Sequence, residues 1–161
     1  QENLGTGVNE FLLPEPADGE YEIKISGGQN AIYEINISSF KENGNDYLNK
    51  IKGIVSDNND ETLEIDYSQN QTSEIKRSVS SQDLINDLNE LKNLGLFKNN
   101  GIYNSLLAKI PIAQLSASVN KKTSINILNA LFNEVKAQRG KGITEEAYQI
   151  LIYDLNYLKN N

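Results

Sequence analysis

The sequence predicts an α+β protein built as two segregated domains, a small antiparallel β-sandwich followed by a four-helix α bundle. Three observations predict it. Apolar residues alternate with polar ones in the front half, the period of a half-wetted strand, and in the rear half they recur every three or four positions, the period of a helix. Charge divides along the same line: residues 1 to 79 hold fifteen Asp or Glu against six Lys or Arg, net −9, whereas residues 80 to 161 hold seven against nine, net +2. The expected domains are therefore an acidic β-sandwich-like module over residues 1–78 and a helical bundle over residues 79–161.

The strands come first. In GEYEIKIS, Tyr21, Ile23 and Ile25 alternate with Glu20, Glu22 and Lys24, and after GGQN the run AIYEINIS repeats the alternation through Ala31, Tyr33, Ile35 and Ile37. The two runs predict an antiparallel hairpin. Two more strands are expected at residues 50–56 (KIKGIVS) and 62–68 (TLEIDYS), joined by the turn-forming DNNDE, and EFLLP ahead of Pro14 and Pro16 is a candidate edge strand. About five short strands without a helical period predict a small sandwich or half-barrel.

The helices follow. In SSQDLINDLNELKNLGLF, Leu84, Ile85, Leu88 and Leu91 share a stripe, with Ser80 or Ser81 as N-cap, Asp83 in the first turn and Gly95 as the stop. The next segment carries Ile102, Leu106, Ile110 and Ala113, and Pro111 is expected to kink or break it. A third helix places Ile125, Leu128, Phe132 and Val135 at near-heptad spacing. The last starts at Thr144, has Glu145 and Glu146 at the positive end of its dipole, and turns Ala147, Leu151, Leu155 and Leu158 inward.

Between the last two helices, VKAQRGKGITEEA holds two glycines, an arginine and a lysine. A phosphate-binding loop needs a Gly, four residues, then Gly-Lys-Ser/Thr after a buried strand, and Gly140 and Gly142 follow a helix at the wrong spacing. The segment reads instead as a connector. Gly140 suits the left-handed position past a helix end, and Arg139 and Lys141 complement the helix C-terminal dipole.

Composition narrows the function classes. The chain has 161 residues, enough for one ordinary domain or two small ones. It contains no His, Cys or Met, so disulfides and thiolate metal sites are excluded and the nucleophiles and bases shrink to carboxylates and lysines. Plentiful acids leave a glycosidase-like carboxylate pair conceivable by count, yet none is singled out by position, so the expectation is no enzyme. The acidic front half, with no basic stretch interleaved with aromatics, argues against nucleic acid as partner. No apolar run approaches the length of a membrane span, so no membrane insertion is expected. The N-terminal stretch lacks the order of a signal peptide, and a chain beginning at Gln1 without methionine is expected to be cut from a longer precursor.

A family resemblance adds context. NSLLAKI, LNALFNEVKAQRGKGIT and LIYDLNYL, spread over residues 80 to 160, resemble the helical FIMAH domain found near the C-termini of secreted and surface proteins of Gram-positive and related bacteria; Pro111 and Leu155 depart from that pattern. FLLPEPADGEYEIKISGGQNAIYEINI resembles a β-module of large bacterial extracellular proteins, with its Pro-rich lead-in, Gly-Xaa-Tyr strand and second Tyr-containing strand. Both resemblances imply an extracellular, non-catalytic accessory region whose first partner is an upstream domain of the same parent protein. Its expected work is attachment or spacing against cell-wall polymer, polysaccharide or a protein, or else purely structural support of that upstream domain.

Three groups of residues are candidate sites. Asp57, Asn58, Asn59, Asp60 and Glu61 offer hard oxygens suited to Ca²⁺, without the alternate spacing and central glycine of an EF-hand, so a solvated turn and a calcium site both remain open; no other cofactor is expected. Asp154 falls inside the apolar arc of the last helix, where an unpaired charge is costly, so a structural contact with Lys109 and Ser105 is expected. Tyr153 and Tyr157 lie four apart on that helix, and are either a ring pair for stacking on sugar or protein, or core-edge side chains with wet hydroxyls.

Overall fold

The computed structural model describes residues 10–40, 46–56, 60–69 and 74–161. It is a mixed α+β protein in which all the strands precede all the helices. The strands are β1 (Gly19–Ile25), β2 (Ala31–Phe40), β3 (Asp46–Val55), β4 (Glu61–Tyr67) and β5 (Glu74–Lys76), and the helices are α1 (Ser81–Asn93), α2 (Asn100–Val119), α3 (Lys121–Gln138) and α4 (Glu145–Asn160).

The alternating runs do form strands, but the expected pairing of the first two is overturned. β1 pairs antiparallel with β4 from Gly19↔Tyr67 to Ile25↔Glu61, and β2 pairs antiparallel with β3 from Ala31↔Val55 to Phe40↔Asp46. A short β5 extends the first sheet, giving the orders β1-β4-β5 and β2-β3. The β2–β3 hairpin is thus nested between the two partners of the β1–β4 pair. The two seven-residue strands pair over their full length, and so do the two ten-residue ones. The Gly-Gly step does not fold β2 back onto β1. It carries the chain to the other sheet past Val55, whose Cγ1 would lie 2.8 Å from a Cβ at Gly27.

The expected edge strand at EFLLP is also overturned. Residues 10–13 are irregular, with Phe11, Leu12 and Leu13 exposed, and Pro14 and Pro16 just beyond them cannot donate to a ladder. The chain is fastened just downstream, where the Gln69 amide N–H donates to Asp18 Oδ1 at 2.7 Å and the Tyr21 hydroxyl to the Ala17 carbonyl at 2.8 Å.

Helix ends follow the local chemistry. Ser80 and Asp83 form a reciprocal capping box at α1, the Asn99 side chain caps α2, and Thr144 caps α4. Gly95, at φ 75°, lies just past the end of α1, and Gly140, at φ 68°, just past α3, as the sequence predicts for Gly140. A Cβ at Gly140 would meet nothing within 4 Å, so the cost of Gly140→Ala is backbone strain alone. The expected outcome is a loss of about 1–2 kcal/mol in urea unfolding, and an unchanged midpoint would remove the left-handed requirement.

The expected break at Pro111 does not occur; α2 runs through it to Val119. Pro111 sits on the exposed face, where water can take the Leu107 carbonyl that loses its helical donor. The main core cluster among the described residues holds Leu84, Leu88 and Leu91 of α1, Leu106 and Ile110 of α2, Leu131 and Val135 of α3, and Ile150, Leu151 and Leu155 of α4. The inward residues expected for α1, α2 and α4 are in this cluster or packed against it. Ile54 of β3 joins the same cluster, with Ile32 of β2 packed on it, and an Asn30–Glu90 side-chain hydrogen bond ties the start of β2 to α1.

The connector read from VKAQRGKGITEEA is locked to the loop between α1 and α2. The Lys98 N–H donates to the Gly142 carbonyl at 2.9 Å, and the Thr144 N–H to the Leu96 carbonyl at 3.2 Å. Gly142 is buried against Ile102, whose Cδ1 would lie 1.9 Å from a Cβ there. Arg139 makes a bidentate pair with Glu145, both distances 2.7 Å, so it bridges the connector to α4.

Candidate functional site

The most concentrated chemistry in the described residues lies where the strands hand over to the helices. Arg77 follows β5 directly, four residues before α1 begins, and its side chain is 3% exposed. Its guanidinium gathers three carboxylates from three elements: Glu61 of β4 at 2.9 Å, Asp87 of α1 at 3.1 Å, and Asp154 of α4, which is fully buried. Tyr153 closes the group. Its hydroxyl accepts from the Arg77 N–H at 2.7 Å and donates to the Arg77 carbonyl at 3.2 Å, while its ring centroid lies 5.4 Å from the guanidinium carbon.

A fourth wall comes from the other sheet. Tyr33 of β2 lies across its register partner Gly53 of β3, whose Cβ, were there one, would come within 2.2 Å of the Tyr33 hydroxyl oxygen. Only glycine leaves room for this ring. Burial and the neighbouring Glu61 charge push the Tyr33 phenol well above its ordinary pKa, so it stays protonated.

The electrostatics follow from one cation facing three anions. Burial by itself would lower the Arg77 pKa, but Asp87 and Glu61 outweigh it and hold the guanidinium charged. Burial pushes the Asp87 carboxyl up to about 6; Arg77 opposes that rise and the Glu61 charge adds to it. Arg77 and Asp154 are closed to solvent, and the Asp87 and Glu61 side chains are 12% and 17% exposed. Most of the carboxylate surface is turned toward Arg77 and away from solvent. The arrangement binds four elements into one packing unit.

The sequence-derived candidates fall into place against it. Asp154 does need a buried partner, as its wheel position predicts, but the partner is Arg77 and not Lys109 with Ser105. Those two side chains turn to α3 instead: Lys109 pairs with Glu134 and donates to Ser105 at 2.9 Å, and Ser105 donates to Glu134 at 2.6 Å. The correction has a simple cause, since Lys109 and Ser105 are half-buried beside α3 whereas Asp154 faces the strands. The Tyr153 hydroxyl is held by Arg77, and the Tyr157 hydroxyl donates to Ser78 Oγ at 3.2 Å. Both rings are half-buried.

Tyr153→Phe leaves the Arg77 N–H and carbonyl unpaired and is expected to cost about 1–3 kcal/mol, while Tyr157→Phe costs less than about 0.5 kcal/mol. Paired denaturation curves check this; equal effects would mean that the two hydroxyls are equally solvated.

Of the calcium candidates, Asp57, Asn58 and Asn59 lie outside the described residues. Asp60 pairs with Lys24 at 2.7 Å, and Glu61 is engaged by Arg77. Among the described residues no group of three or more His, Cys, Asp or Glu side chains is arranged so that it could hold a metal ion. Sequence reading missed Arg77 and Asp87. Asp87 carried a signal, because it falls between Leu84 and Leu91 on the stripe of α1 just as Asp154 does on α4. Arg77 carried none, lying in a short irregular segment without periodicity.

The molecule is thus a mixed α+β protein whose strands and helices are pinned together by a buried ionic group. Comparison with protein-family models, curated proteins and solved structures finds no match to this chain.

Proposed function

We propose that the chain is a non-catalytic accessory region of a secreted or cell-surface bacterial protein, one that holds an upstream domain at a fixed distance from cell-wall polymer, polysaccharide or a protein partner. The observation that carries this reading is the inward use of the reactive groups: Arg77, Glu61, Asp87 and Asp154 face one another in the interior. A body stapled in this way is suited to holding its neighbours at a fixed position. The resemblance of residues 80 to 160 to the FIMAH domain supports the extracellular setting, with the two sheets taken as a small sandwich and the four helices as a bundle.

A second reading, purely structural support of the upstream domain, is favoured by the tyrosines. With the hydroxyls of Tyr153 and Tyr157 held by Arg77 and Ser78, that ring pair has less to offer a sugar. A glycan array and a whole-cell pull-down with the purified chain separate the two. Selective binding supports attachment; uniform non-binding, with loss of stability of the parent when the region is deleted, supports the structural role. A melting temperature that rises with added calcium would replace both with a calcium-dependent module.

A further inference from the structure

The large apolar side chains left exposed among the described residues are not scattered. Six of the eight fall in two patches: Phe11, Leu12 and Leu13 ahead of β1, and Ile112, Leu115 and Val119 on α2. The second set is spaced three and four apart, so it forms one stripe along the helix, on the side away from buried Leu106, Ile110 and Ala113. Each of the six is more than half exposed. Apolar stripes of this kind mark contact surfaces.

Charge says which surface meets which. The first patch is bracketed by acids, Glu10 before it and Glu15 after it, with Asp18 and Glu20 next along the chain. The second lies in a stretch where no acid occurs between Glu90 and Glu134, although that stretch holds Lys92, Lys98, Lys109, Lys121 and Lys122. Lys121 and Lys122 are exposed and open α3, with one residue between them and Val119 at the end of the stripe. The first segment is therefore acid, three apolar residues, proline, acid; the second is an apolar stripe ending in two cations. Among the described residues the irregular segment joins no ladder, so it can lie along a helix, and Gln69 anchors the chain at Pro16 and Asp18.

We propose that residues 10–15 of one copy of this chain dock on the Ile112, Leu115 and Val119 stripe of a second copy, so that copies associate head to tail. The two surfaces differ, so the contact is heterologous and leaves a free arm and a free stripe at the two ends of each assembly. Six apolar side chains bury an area in the range of weak, transient contacts, and the charge pairing makes the association fall with ionic strength. This inference goes beyond the accessory role proposed above and does not depend on it.

Sedimentation of the full chain over rising concentration, with a backbone-amide NMR titration using a peptide of residues 10–18, tests it. The expected result is concentration-dependent association that weakens as NaCl rises, and peptide-induced shifts confined to α2 around Ile112, Leu115 and Val119 and to Lys121 and Lys122. Leu12→Lys and Leu115→Glu change exposed residues, so both variants should fold, as circular dichroism would show, and each alone should associate about tenfold more weakly or worse. Mixed one to one, they should form a dimer that grows no further, because one intact arm then meets one intact stripe. A chain that stays monomeric at the highest concentrations overturns the proposal. So does association that survives Leu12→Lys, or peptide binding to α2 in a chain that never self-associates, which would mean the arm docks within its own molecule.

Discussion

Replacing Arg77 by methionine lowers the unfolding free energy by about 3–5 kcal/mol at neutral pH. The side chain is 3% exposed and is the cation among three acids, so its removal strands Glu61, Asp87 and Asp154 together in the interior with no compensating charge. Methionine fills similar space, which isolates the electrostatic loss from a packing defect. Two further results are expected. The deficit shrinks as pH falls and Asp87, whose carboxyl burial pushes up, takes a proton, and it shrinks when Asp87→Asn and Asp154→Leu are added, because an apolar replacement of a buried ionic group is often close to neutral. Equilibrium denaturation in urea measures all three. A loss below about 1 kcal/mol for Arg77→Met would mean that the acids are already neutral or hydrated, and that the junction is held by apolar contact alone.

The wild-type chain gains about 2–3 kcal/mol on an Asp87→Asn variant between pH 7 and pH 4. Burial pushes the Asp87 carboxyl up to about 6, against about 4 in an unfolded chain. Above the folded value the group is ionised in both states, and its charge in the interior is a cost. Between the two values the folded chain holds a proton that the unfolded chain has released, so stability rises as pH falls. The gain is complete below the unfolded value and is lost as pH climbs back through about 6. Glu34 behaves oppositely. Hydrogen bonds from Lys50, Asn36 and Lys52 hold its carboxyl down at about 2, so its contribution fades as pH falls from about 4.5 toward about 2, and because both proteins carry it the effect cancels in their difference. The difference between the two proteins' denaturation midpoints, followed against pH, gives the effect directly. A difference that stays flat would show Asp87 ionised throughout, with water reaching it.

Much of the architecture was legible in the chain because the signals are local. Strand alternation in residues 20–25 and 31–37, the caps at Ser80 and Thr144 and the left-handed Gly140 each depend on neighbours a few positions away. Strand pairing is not local. The choice of β4 over β2 as partner for β1 depends on full-length register and on Gly27 passing close to Val55, which no window of sequence contains. Pro111 misled for a related reason, since the cost of a proline depends on whether the helix turns that face toward water. For the junction, the helical wheel established that Asp154 must be neutralised. It could not say by what, because Arg77 is 77 residues away on another element. Lys109 and Ser105 matched the need in chemistry but face Glu134. Asp87 was open to the same wheel test as Asp154.

One feature of the connectivity bears on how the molecule is made. Arg77 is synthesised ahead of Asp154 and Tyr153, which belong to α4. Until those residues clear the ribosome, the guanidinium can be met by Glu61 and Asp87 but not by the carboxylate that shuts the interior. A nascent chain halted before α4 is therefore left with an unsealed seam between its pleated and helical parts, and the emergence of α4 becomes the step that closes it.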